Sequence, residues 1–173
     1  MLRRTPRMAI CLLAACACDG TSSGGEAPGR LTLARKGEVL VDAPASASRC
    51  PADSTIALVA IGTEWVAAIS VRVAWPSDTA RDLTVVRAPG RPGTGVVAAR
   101  PVADSAGSVL LAARGSIELG PGATMSGRFE VVAPTQPGAP DSVLLTGRFE
   151  SVLVADDLCP QDSPRIRATV LPN

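Results

Sequence analysis

The sequence lacks histidine and tyrosine and contains a single lysine, Lys36. Without histidine, the chain can form neither a Ser-His-Asp or Cys-His catalytic arrangement nor a histidine-ligated zinc site. A Ser-Lys dyad would have to use Lys36, and paired carboxylates are the remaining acid–base option. Because no two acidic residues stand in a context that predicts joint burial, we predict that the protein is not an enzyme and needs no cofactor or metal.

Aromatic residues are scarce, at 2% of the chain, although 46% of its residues are hydrophobic. Alanine, valine and leucine must therefore build most of the core. The net charge is +1, and removal of residues 1–15 would take away three arginines and no acidic residue, which leaves −2. Since no basic field is present to attract a phosphate backbone, we expect no nucleic-acid partner.

The N-terminus has the build of an export signal over residues 1–15. Three arginines precede the short apolar run Met8–Ala15, which is far shorter than the roughly 20 residues that span a bilayer. The run closes on Leu13-Ala14-Ala15-Cys16. This stretch resembles the lipobox of bacterial lipoproteins, in which leucine and two small residues precede an acylated cysteine.

The resemblance implies that Cys16 carries acyl chains that insert into the lipid bilayer. It also implies that Ala17, which is not a retention residue, permits sorting to the outer membrane. Two alternatives remain. Ordinary signal peptidase could cut after Ala17 and release a soluble periplasmic or secreted chain that begins at Cys18, or Cys18 itself could be acylated. In the first interpretation, residues 16–29 are the acylated cysteine and a flexible Gly/Ser-rich linker.

Residues 30–173 alternate apolar and polar side chains in short runs bounded by glycine or proline, which is typical of β-strands. We predict a single antiparallel β-sandwich of the immunoglobulin-like, Greek-key type, with a barrel as the alternative. Ala43–Arg49 is predicted as a small-residue loop, and Arg114-Gly115 as a tight hairpin turn. Strands are predicted at 31–34, 38–42, 55–61, 64–75, 83–87, 95–100, 109–113, 116–119, 124–132, 142–154 and 165–171.

The strand over 64–75 carries two weak candidate binding residues, Trp75 and Arg72. Trp65 and Trp75 share the odd-numbered face with Ile69, which predicts packing against the core. Trp75 lies at the strand end, where it could instead stack on a sugar. Arg72 could bind an anionic ligand, and the alternative is that it faces solvent or pairs with an aspartate.

The tetrapeptide Gly-Arg-Phe-Glu occurs twice, at Gly127–Glu130 and Gly147–Glu150. We predict that the two copies pair antiparallel with Phe129 opposite Phe149. In that register Arg128 would face Glu150, and Glu130 would face Arg148, which would disfavour slipped pairings. The core face would then hold Met125, Phe129, Val131, Val143, Leu145, Phe149 and Leu153.

Cys50 and Cys159 open two similar phrases, Cys-Pro-Ala-Asp-Ser and Cys-Pro-Gln-Asp-Ser. In an oxidising compartment this predicts a disulfide. It would close a loop of roughly 110 residues and contribute about 4–5 kcal/mol in the chain-entropy model. The alternative is a metal site with Asp53 and Asp162, although two thiolates without histidine are poor ligation for zinc. Cys18 is left without an assigned partner.

Two functional hypotheses follow. The first is a membrane-tethered envelope lipoprotein whose non-catalytic domain is structural or protein-binding. The second is a small-ligand carrier or enzyme inhibitor in the periplasm or at the cell surface. A carrier predicts an apolar cavity of about 300 Å³ or more, whereas an interaction module predicts a filled core with an exposed patch or an open edge strand.

Overall fold

The computed structural model describes residues 29–52, 54–87, 91–103, 109–136 and 140–156. This part of the chain contains ten β-strands and no helix, so the predicted all-β fold is confirmed. The predicted strand at 165–171 lies outside the described residues. The strands are β1 (Arg30–Arg35), β2 (Glu38–Cys50), β3 (Thr55–Ile61), β4 (Trp65–Arg72), β5 (Arg81–Val85), β6 (Thr94–Pro101), β7 (Leu110–Leu111), β8 (Arg114–Leu119), β9 (Thr124–Pro134) and β10 (Ser142–Asp156).

The strands form one sheet that closes into a ring. Their order is β4-β3-β2-β1-β10-β9-β8-β5-β6-β7, and β4 also pairs with β6. Most pairs are antiparallel, as predicted, but β5 runs parallel to β6 and the end of β10 runs parallel to β2 at Ala47–Arg49. β1 begins at Arg30, opposite Glu150, so the part of β10 beyond Glu150 extends past β1 and lies directly beside β2. The Gly29 carbonyl still accepts the Ala45 N–H at 2.7 Å, and beyond that point no β1 residue separates the two strands.

Inward-facing side chains from every strand form a single hydrophobic core. In β4 the predicted alternation is confirmed, because Ala67, Ile69 and Val71 are at most 1% exposed within this core. Trp65 and Trp75 pack against its border as half-buried residues. Each fully buried valine, leucine, isoleucine or phenylalanine contributes roughly 1.5–3 kcal/mol of transfer free energy.

Strand β2 shows that the predicted loop at Ala43–Arg49 is wrong, because the strand continues without interruption from Glu38 to Cys50. Period-two alternation is present, but its members are alanine, serine and proline, which have low strand propensity and contrast little in hydrophobicity. Alanines point inward at 43, 45 and 47, and the residues between them point outward.

The predicted hairpin at Arg114-Gly115 is also wrong. Both residues lie inside β8, which pairs with β9 and β5 rather than with β7. Gly115 has φ +140°, and a Cβ there would lie 2.3 Å from the carbonyl oxygen of Glu130 in β9. The glycine therefore permits close approach of two strands instead of reversing the chain.

The β9–β10 pair has a different register from the predicted one. Phe129 lies opposite Gly147, and Phe149 lies opposite Gly127, a shift of two residues. Both phenylalanines are buried in the core, as predicted. A Cβ at Gly147 would lie 2.3 Å from Cζ of Phe129, and one at Gly127 would lie 2.7 Å from Cζ of Phe149. Each ring therefore covers a glycine of the opposite strand, an arrangement that shields the exposed backbone of that glycine.

A bulge in β10 changes which residues face the core near its end. Between the pairs of Phe149 and Val152, β10 has one residue more than β9. Ser151 has φ +53°, and its N–H donates to Ser126 Oγ at 2.9 Å. Because one extra residue inverts the faces of a strand, Val152 is fully buried and Leu153 is 67% exposed. The prediction of Leu153 as a core residue is wrong, whereas the other six predicted core residues of this pair are buried.

Candidate functional site

Two of the three cysteines assigned a role, Cys16 and Cys159, lie outside the described residues, as do the alternative metal ligands Asp53 and Asp162. Cys50 ends β2 and is 2% exposed. It lies opposite Thr55 of β3, and the alternation of β2 places its side chain on the outer side of the ring.

The end of β2 is held to the end of β10. Arg49 Nε donates to Asp156 Oδ1 at 2.7 Å, and Arg49 Nη1 donates to the carbonyl oxygen of Trp75. The Arg49 side chain is only 25% exposed. These contacts bring Asp156, three residues before Cys159, to the strand end that holds Cys50.

The structure does not combine Trp75 and Arg72 into one site. The indole of Trp75 packs against the core, and the Trp75 carbonyl oxygen accepts a hydrogen bond from Arg49. We therefore interpret Trp75 as a packing residue rather than a ligand-binding one. Arg72 ends β4 on the outer side of the ring, opposite Thr55 and Thr94, where it is half-buried.

The best candidate for a binding site is a hollow at the edge of β2, which we call the edge wedge. β2 pairs with β3 from Ala45 to Cys50, and this pairing stops before Pro44, although Gly62, just after β3, still lies close to Val41. Along residues 38–44, no described strand pairs with this edge of β2. The wedge has a volume of about 590 Å³ and is lined by Val39, Leu40, Asp42, Ala43, Ile61, Gly62, Thr63 and Glu64.

Two apolar side chains at the edge wedge face water. Val39 is 58% exposed and Ile61 is 67% exposed. An open edge with apolar neighbours can accept an extended peptide as an added strand. Pro44, which has no N–H, lies where the pairing of β2 with β3 stops, and Leu40 is an extra residue relative to β1. Both features interrupt a regular edge, so they favour a short peptide over open-ended strand addition.

Sequence reasoning missed the edge wedge because it placed a loop where β2 runs. The available signal was Pro44 within an alternating stretch, since proline in a strand indicates an edge.

A second hollow, of about 680 Å³, lies on the outer side of β8, β9 and β10. Two of its charged side chains, Arg128 and Glu118, already form an ion pair. Arg128 lies directly opposite Arg148, a repulsive placement, but Arg128 is 2.7 Å from Glu118 and Arg148 is 3.6 Å from Glu150. The predicted pairs of Arg128 with Glu150 and of Glu130 with Arg148 are wrong, because they depended on the register that is not formed.

The hydrogen bond to Glu118 raises the pKa of Arg128. At the β1 edge of this surface, Arg30 Nε and Thr32 Oγ1 both donate to Asp42 Oδ1, at 2.5 and 3.2 Å. The bond from Arg30 lowers the pKa of Asp42. An anionic ligand would have to compete with these carboxylates, so this surface is a weaker candidate than the edge wedge.

The described part of the ring is filled with side chains. Its inward-facing core residues are at most 9% exposed and pack in one cluster. The edge wedge and the hollow over β8, β9 and β10 both open on the outer surface.

No family model, curated protein or solved structure matches this chain. The described ranges contain no group of three or more acidic or cysteine side chains that could hold a metal ion. In the same ranges, no helix has the length and hydropathy needed to cross a membrane.

Proposed function

We propose that the chain is a lipid-anchored protein of the bacterial cell envelope, with a non-catalytic β-domain that binds another envelope protein. The lipobox-like stretch Leu13–Cys16 supports the anchor. Two or more acyl chains on Cys16 would give stable membrane attachment, whereas one gives only marginal binding. The 13 residues from 17 to 29 would reach about 20 Å as a flexible chain, so the domain would act close to its membrane, with the outer membrane as the proposed site.

The edge wedge carries the protein-binding part of the proposal. It combines an unpaired strand edge with the exposed side chains of Val39 and Ile61, which is the surface expected of an interaction module. The filled core supports this choice over a small-ligand carrier, since a carrier needs an apolar interior cavity.

We also propose that Cys50 and Cys159 form a disulfide. The pairing of Arg49 with Asp156 supports it, because three further residues extend about 10 Å at most, and this span includes the 4.4–6.8 Å that separates Cα atoms in a disulfide. Alkylation of the unfolded chain before and after reduction counts the thiols involved. A gain of two alkylated cysteines on reduction is expected, whereas no gain would contradict the disulfide.

The anchor is tested by mass spectrometry of the mature N-terminus from a membrane fraction. We expect an acylated chain that begins at Cys16 and requires detergent for extraction. Cys16→Ser should leave the protein unacylated and extractable without detergent, and Cys18→Ser should behave like wild type. An unacylated chain that begins at Cys18 would remove the anchor from the proposal.

The edge wedge is tested by affinity capture from envelope extracts with the full chain. The double variant Val39→Asp/Ile61→Asp should lose its specific partner by about tenfold or more in affinity, which corresponds to 1.4 kcal/mol. Leu153→Asp is a matched control, because Leu153 is as exposed as Ile61 but lies on β10. Equal capture by wild type and both variants would exclude the wedge as the binding site without bearing on the anchor.

A further inference from the structure

One part of the ring's outer surface is apolar and buried, although it faces away from the core. It is formed by β3, β4 and β6, and we call it the outer apolar face. Its members are between 2% and 6% exposed: Ala57, Val66, Ala68, Val96 and Ala98.

Strand pairing shows that these side chains point outward. Ala68 lies opposite Val59 on one side and Ala98 on the other, and directly opposed residues in antiparallel strands share a face. Their neighbours Leu58, Ile69 and Val97 belong to the core, whereas the five members of the outer apolar face do not.

The opposite side of the ring is different. Outward side chains of β9 and β10, such as Arg128, Arg148 and Glu150, are charged and exposed, with 64–73% of the side-chain surface accessible. On the apolar side, the described strands in extensive contact with β4 are β3 and β6, which flank it within the sheet and do not lie over it. Something must therefore cover the outer apolar face, and it must come from other parts of the chain.

We infer that the C-terminal residues 160–173 cover the outer apolar face. The end of β10 lies near this face, since Asp156 is beside Arg49 at the end of β2, and β2 is next to β3. The side chain of Cys50 lies on the outer side of the ring, in line with Thr55 and one alternation step from Ala57. With the disulfide to Cys159 proposed above, on which this step rests, the segment that follows Cys159 would start at the border of this face.

The length and pattern of the C-terminal segment suit the surface. Fourteen residues reach about 46 Å when extended, whereas three strands span only about 15 Å. From Ile166 onward, apolar Ile166, Ala168 and Val170 alternate with Arg167 and Thr169. One face of an extended segment is therefore apolar, and the small alanines on the sheet allow it to lie close.

The N-terminal residues before Gly29 fit this role less well. After the signal they are rich in glycine and serine and have no apolar alternation. They also join the domain where Gly29 bonds to Ala45, beside β1 and away from β4 and β6. Cover by these residues is an outcome that the experiment below would detect.

The test uses a reporter thiol, Ala68→Cys, in the full chain with Cys11, Cys16 and Cys18 replaced by serine and with no reductant. Maleimide should label it at least about tenfold more slowly than Glu130→Cys, because labelling requires local opening. Ile166→Asp/Val170→Asp should abolish most of this protection. The matched control Arg167→Asp/Thr169→Asp, which alters the other face of the segment, should preserve it. A core reporter, Ala43→Cys, should stay protected from maleimide in all variants, because release of the C-terminal segment leaves the core folded.

Rapid labelling of Ala68→Cys in the intact chain would overturn the inference, as would protection that survives Ile166→Asp/Val170→Asp. Labelling of the core reporter as well would mean that the variant has unfolded. In that case a photo-crosslinker at position 166 of the otherwise native chain tests where the C-terminal segment lies. Crosslinks to Val66, Ala68, Val96 or Ala98 support the inference. Crosslinks elsewhere, or crosslinks to this face from positions before Gly29 alone, refute it.

Discussion

Replacement of Gly147 with alanine would test the interlocked packing of the two Gly-Arg-Phe-Glu copies. Gly147 lies on β10 between β9 and β1, with the ring of Phe129 over it. An added Cβ would lie 2.3 Å from Cζ of Phe129 and 2.4 Å from the carbonyl oxygen of Thr32. The ring can move, but the Thr32 carbonyl belongs to a paired strand, so the substitution must distort either the sheet or the core.

The expected loss of stability follows from two opposing contributions. Overpacking of a filled core costs about 1–3 kcal/mol, and sometimes more. Alanine also restricts the unfolded chain, which offsets roughly 0.4–1 kcal/mol of that cost. Because two contacts are violated and one is with backbone, we expect Gly147→Ala to lower the free energy of unfolding by about 2 kcal/mol and Tm by about 6–10 °C.

Urea and thermal unfolding of the purified domain measure this loss. Gly120→Ala is the matched control, because its Cβ would meet only the Ser126 carbonyl oxygen, at 3.5 Å, which is an ordinary contact. It should change stability by less than about 0.5 kcal/mol. Phe129→Leu removes the ring atoms nearest Gly147, so the double variant should be about 1 kcal/mol more stable than additivity predicts. Equal stability of Gly147→Ala and Gly120→Ala, or strict additivity, would refute the packing argument.

Two further predictions concern β10 and the β1–β2 pair. Val152→Ala should cost about 2 kcal/mol and Leu153→Ala less than about 0.5 kcal/mol in urea unfolding, because the bulge buries Val152 and exposes Leu153; the reverse order would disprove the bulge. The pKa of Asp42 is lowered from its ordinary 3.8, first by the hydrogen bond from Arg30. Its stabilisation is therefore complete above pH 3.8 and is lost as pH falls through the lower folded value. The urea midpoints of wild type and Asp42→Asn should differ near pH 6 and converge in acid, whereas a difference that does not change with pH would contradict this assignment.

Local pattern was sufficient for the elements in which apolar and polar residues contrast strongly. The run Thr55–Ile61 is β3 with the predicted bounds, and the odd-numbered face of β4 lies in the core. These predictions succeed because burial of valine, leucine and isoleucine dominates the energetics of a strand. The all-β class follows from several such strands in sequence.

Local pattern failed where small residues or long-range pairing decide. β2 runs through Ala43–Arg49 because β3 and the end of β10 both pair with it, and β10 is about one hundred residues later in the chain. The inverted face at Val152 depends on one extra residue at Ser151, which cannot be read from hydrophobicity. The edge wedge depends on both strands, since it exists only where β2 continues and β3 has ended.

The repeated tetrapeptide has a structural explanation that its sequence alone does not reveal. In an antiparallel pair, Arg128 opposite Arg148 is the centre of a local two-fold relation. It makes Phe129 over Gly147 equivalent to Phe149 over Gly127. Identical segments therefore give the same phenylalanine-over-glycine packing on both sides of this centre. The like charges of the opposed Arg128 and Arg148 are unfavourable in this arrangement. The salt bridge of Arg128 with Glu118 on β8 offsets part of this repulsion. The repeated tetrapeptide is therefore explained by close packing in a chain that has only two phenylalanines.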